Sequence, residues 1–222
     1  MKKNVMTAIV SGAMVGCLAI GGTFAYLTAN SGTVRNTFTG TAGLGVKIAE
    51  SAVDGDTYDI AKSSKGGTAT ADANDVITNY EITFENNGGG IDYENVVPGA
   101  EINKVVKVQV EENPTASYLF LKITKANDNY DIKDLNNQFT LVDGYTDLYV
   151  LGNNTTYTKV DSSAAAKEFD VFTTITANAE VKNADDLKNG NVEVTAFIVQ
   201  AEGIANADAV KEAATGLNAT AK

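Results

Sequence analysis

Alternation with a period of two residues runs through most of this 222-residue chain and leaves it few ways to fold. Val106, Val108 and Val110 share one face of an extended segment, with Lys107 and Gln109 on the other. Leu119, Leu121 and Ile123 alternate with Phe120 and Lys122, and Val192, Val194, Ala196 and Ile198 alternate with Glu193, Thr195, Phe197 and Val199. Successive side chains of a strand point to opposite faces, so such a pattern predicts strands. Further strands are expected over 44–49, 76–84, 139–142, 147–151 and 169–176, all rich in β-branched and aromatic residues. In the last pair of strands both faces are fairly apolar, as in a strand covered on both sides.

Turn-forming residues punctuate these runs: Asp54-Gly55, the Asn-Gly run at 86–90, Pro98-Gly99, Asp143-Gly144, Gly152-Asn153-Asn154 and Asn189-Gly190. Many short strands at this spacing predict an all-β, jelly-roll-like sandwich rather than βα units. Helix is minor: Ser162 and Ser163 before 164–167 look like a capped short helix. A second is expected over 206–215, closed by Gly216. Residues 61–75, polar and poor in bulky side chains, read as a long loop.

At the N-terminus Lys2 and Lys3 precede an uncharged apolar run over 5–20, followed by Gly21-Gly22-Thr23-Phe24-Ala25. Small residues at Thr23 and Ala25 fit cleavage by a signal peptidase after Ala25, so that the mature chain begins at Tyr26. A retained anchor is the other reading, since 5–27 nearly spans a bilayer. Cys17, the single cysteine, sits within this run; Leu18-Ala19-Ile20 behind it continues the apolar core, unlike the polar tether of a lipidated cysteine. The expected organisation is a signal peptide over 1–25, an extended segment over 26–39 and one sandwich domain over 40–222. The expected location is outside the cell, without stable membrane insertion after processing.

Charge and missing residue types narrow the function. The chain carries 17 basic and 28 acidic residues, a net −11, and loss of Lys2 and Lys3 lowers it by two more. Such a surface disfavours nucleic acid and anionic lipid as partners. Histidine is absent, which rules out Ser-His-Asp triads, Cys-His dyads and HExxH zinc sites. Asp54, Asp56 and Asp59, and Asp128, Asp131 and Asp134, are acidic groupings without the spacing of a calcium loop; solvated turns are the simpler reading. No catalytic, cofactor or metal residue is assigned, and the chain is expected not to be an enzyme.

The run Gly21 to Thr28 resembles the processing region of the TasA and camelysin family, exported biofilm-matrix proteins of Gram-positive bacteria that are cleaved by the signal peptidase SipW. Asn36-Thr37-Phe38-Thr39-Gly40, the turn Val97-Pro98-Gly99-Ala100-Glu101 and the closing VTAFIVQAEG over 194–203 are similar to later parts of the same family. Thr28-Ala29-Asn30 stands where the family has an acidic residue. Camelysin-like proteins carry a metalloprotease label, for which this histidine-free chain lacks the ordinary ligands.

The resemblance implies a jelly-roll subunit that polymerises by donor-strand complementation, the N-terminal segment of one copy adding a strand to the next. Here that segment is 26–39, with Val34, Asn36 and Phe38 on one alternating face and Leu27 nearer its start. A first strand folded into its own domain, or a free tail, are the other readings of the same residues. Expected partners are further copies of the chain, a SipW-type peptidase and an accessory or anchoring matrix protein. A monomeric surface module that caps or anchors fibres is the rival function.

Overall fold

The computed structural model describes residues 34–35, 38–40, 45–61, 67–74, 76–85, 90–182, 184–187 and 190–222. The architecture is an all-β sandwich with little helix, as the alternation predicts. The first sheet runs β10 (Tyr130–Lys133), β14 (Lys167–Ala177), β8 (Glu101–Val110), β3 (Val46–Val53), β6 (Ile77–Glu85) and β5 (Thr68–Ala71), each antiparallel to its neighbours. The second runs β11 (Phe139–Leu141), β12 (Leu148–Leu151), β9 (Ser117–Lys125), β15 (Val192–Gln200) and β2 (Phe38–Gly40), and the short β13 (Lys159–Val160) shares the edge of β9 with β12. A small third sheet holds β1 (Val34–Arg35), β7 (Asp92–Glu94) and β4 (Asp59–Ala61).

The core lies between the two large sheets. Val46, Ile48, Ile102, Val106, Val108 and Val110 from the first meet Leu119, Leu121, Ile123, Val194 and Ile198 from the second, all buried. A second apolar layer lies on the outer face of the second sheet. There Phe120, Leu148, Val150 and Val199 are covered by Ala209, Ala213 and Leu217 of helix α2 (Asn206–Leu217). Burial on both faces is seen in β9, where Ser117 to Leu121 are all buried, while β15 buries its inner row and leaves Glu193, Thr195 and Phe197 half-buried on the outer one.

Three local readings are corrected. No helix forms over 164–167: Asp161 accepts hydrogen bonds from the Ser163 N–H (3.0 Å) and hydroxyl (2.6 Å), and this turn feeds directly into β14. Side-chain capping of this kind closes a turn as readily as it starts a helix. Gly216 does not close α2, which ends at Asn218 in the left-handed region (φ 50°) with its N–H on the Thr215 carbonyl. Gly216 is instead where the helix presses on the sheet, since a Cβ there would stand 2.8 Å from the Phe197 ring. The stretch 61–75 is not wholly loop, because Thr68–Ala71 forms β5, exposed at every position. A four-residue helix, α1 (Ala184–Leu187), is added at the sandwich edge.

Candidate assembly edge

The sites expected from sequence concentrate in the N-terminal segment. Thr23, Ala25, Tyr26, Leu27 and Asn36 lie outside the described residues. Val34 and Phe38 lie within β1 and β2, and their backbone pairing is informative. Val34 stands opposite Tyr93 and Arg35 opposite Asp92, antiparallel, at the edge of the small sheet. Phe38, Thr39 and Gly40 stand opposite Val194, Thr195 and Ala196, parallel, at the edge of the second large sheet.

The β2–β15 pairing differs from every other in the described residues. All the rest are antiparallel. β15 is nine residues long and pairs with β9 along all nine, yet on its other side β2 covers three. Parallel pairs are somewhat less stable per residue, and a three-residue edge strand has little to hold it. β2 is followed along the chain by β3 of the first sheet, yet its hydrogen bonds place it at the edge of the second.

Other edges are managed differently. β5, Thr-Ala-Thr-Ala, is uncharged and exposed, and a register shift at Thr70/Ala71 breaks its ladder with β6, as bulges do at sheet edges. Between β9, β12 and β10 a groove of about 550 Å³ opens, with Ile123, Ile132, Leu135 and Tyr149 among its walls and Lys125 and Asp131 at its rim.

Neither acidic grouping forms a cation site. Lys125 holds Asp131 (3.0 Å) and Asp128 (3.7 Å), and among the described residues no three acidic side chains converge as metal ligands. Burial first, and then repulsion by Asp59, raise the Asp54 carboxyl above its usual range. Among the described residues no helix is long and apolar enough to cross a membrane.

One constellation was not anticipated. The stripe Ile102, Val106, Val108, Val110 on the inner face of β8 includes Lys104, and the stripe Val46, Ile48, Ala52 on β3 includes Glu50. Both charged side chains are buried, at 0% and 1% exposure, and they form an ion pair. Reading the valine stripe of β8 one step further back shows Lys104, a charged residue in an apolar row, which is the signal that locates it.

Comparison with protein-family models, with curated proteins and with solved structures returns no match to this chain.

Proposed function

We propose that this chain is a secreted structural subunit, not an enzyme, that assembles into extracellular fibres by passing its N-terminal segment to the next copy. The observation that carries this reading is the β2–β15 pairing. A strand that closes an edge in its own domain by three parallel pairs can close the same edge in a neighbour with the same register. Exchange of that kind makes a heterologous contact, which repeats as a filament when it does not close into a ring. It costs little, because the bonds broken at home are remade in trans in the same parallel register. The sequence resemblance at 21–28 and 194–203 points the same way.

A second reading has an observation of its own. β1 and β2 both pair within the single chain, which favours a closed monomeric module that caps or anchors fibres.

The test uses the processed protein beside two variants, one truncated to begin at Gly40 and one carrying Val34→Asp and Phe38→Asp. Negative-stain microscopy, size exclusion and circular dichroism are read on each. Fibres from the parent and folded, β-rich monomers from both variants support strand exchange. A parent that remains monomeric supports the capping module, and fibres from the truncated chain overturn the role of the segment.

A further inference from the structure

We propose that Lys104 and Glu50 are joined by an amide bond that forms spontaneously inside the folded domain, tying β3 covalently to β8. The two residues are placed by the sheet itself. Ala52 stands opposite Lys104 and Val106 opposite Glu50, so the pair are diagonal neighbours on adjacent strands, both turned to the core. Long side chains meet across such a diagonal. The Nζ of Lys104 faces Glu50 Oε1 directly.

The surroundings supply what condensation needs. Ile91 N–H donates to Glu50 Oε2 (3.3 Å), the position where negative charge develops when the carboxyl carbon is attacked. The ring of Tyr93 covers the amine, its centroid 5.6 Å from Nζ, and Tyr58 meets that ring edge-on at 5.7 Å. Ile91 and Tyr93 are themselves fully buried. Burial holds the Lys104 amine well below the usual lysine range, since dehydration at this depth outweighs the pull of the carboxylate. The condensation starts from the neutral form of the pair, an amine beside a carboxylic acid, reached when a proton passes from Lys104 to Glu50 within the ion pair.

The reaction balances without a co-reactant. The nitrogen lone pair of Lys104 forms a bond to Glu50 Cδ, and the carbonyl electron pair moves to Oε2, opposite the Ile91 N–H. Collapse of that intermediate breaks the bond to Oε1. Oε1 leaves as water with the carboxyl proton and one proton from the nitrogen. Nothing is oxidised or reduced. Fixed proximity favours the forward step. The product is favoured because it replaces two buried ionisable groups, each costly to dehydrate, with one neutral amide, and because the dry site denies water to the reverse reaction.

Mass spectrometry of the denatured full chain decides the matter, taken against the mass expected from its measured N-terminus. The expected result is a deficit of one water, together with a branched tryptic product in which peptide 48–62 is linked to peptide 66–107, cleavage after Lys104 being blocked. Peptide mapping is needed because Asp54-Gly55 and Asp143-Gly144 can also lose water, by cyclising to succinimides, and those products are linear. In Lys104→Arg the deficit and the branched product should both disappear. Full mass in the parent, with linear peptides ending at Lys104, overturns the proposal, as does a branched product persisting in Lys104→Arg.

Discussion

The outer faces of the two sheets invite comparison, because each sheet has a central strand with the same alternation and a different fate. On β9 the outward side chain Phe120 is fully buried, meets the Tyr157 ring edge-on at 5.8 Å, and lies under α2. On β8 the outward side chain Lys107 stands in water, with Asp170 of β14 at 3.7 Å across the ladder. The inner faces are both apolar, save for Lys104 and Glu50 on the first sheet. Alternation therefore fixes which residues face the core, while the outward residues declare whether anything lies beyond the sheet. A sheet with phenylalanine and valine on its outer positions needs a cover, and α2 supplies it.

The largest effect expected from this contrast is at Phe120. Phe120→Ala removes an aromatic buried between sheet and helix and should cost about 3–5 kcal/mol, read as a lowered midpoint in urea. A loss no larger than that of a surface substitution would mean that α2 is not docked on β9. Tyr58 gives an intermediate case at the end of the first sheet. Its hydroxyl donates to the Val53 carbonyl (2.6 Å) and accepts from the Asn103 N–H (3.0 Å). Tyr58→Phe should cost roughly 1–2 kcal/mol, since the Asn103 N–H is left without that acceptor.

A smaller and pH-dependent effect is expected at Asp54. A carboxyl raised above its unfolded value of 3.8 weakens the fold once ionised. The penalty is absent in acid, where both states hold the proton, and grows as pH rises from the unfolded value through the folded one. Asp54→Asn should therefore raise the melting temperature at neutral pH, and the gain should vanish in acid. A gain that persists unchanged in acid would assign it to packing instead. The smallest effect is at Lys107→Ala, expected within about 0.5 kcal/mol, because an exposed pair contributes little. A much larger loss there would mean that the outer face of β8 is covered in solution, as it would be in an assembly.

Much of the sandwich was legible because its long strands are half-buried and alternate. The strips at 106–110, 119–123 and 192–199 each became the body of a strand. What escaped has no alternation to read. β5 is four small or polar residues held by backbone bonds to β6, and β7 is three residues that matter for where Tyr93 falls. Gly216 looked like a stop signal because glycine ends helices, yet its role is set by Phe197, nineteen residues earlier in the chain and adjacent only in the fold. The N-terminal segment alternates in sequence, but the register and parallel sense in which Phe38–Gly40 pairs with β15 are tertiary facts that no local pattern carries. Lys104 and Glu50 were visible as interruptions of two apolar rows, but their meeting depends on the alignment of β3 with β8.

That alignment has a mechanical side. β3 follows directly on the N-terminal strands and is hydrogen-bonded on both flanks, to β8 over Val46–Ala52 and to β6 over much of the same length. Tension entering a subunit through its N-terminal segment would meet β3 before any other long strand. Such a pull runs along the strand axis, so two ladders must slide past their partners together rather than unzip one bond at a time. An edge strand in that position would peel; a central one shares the load across the first sheet.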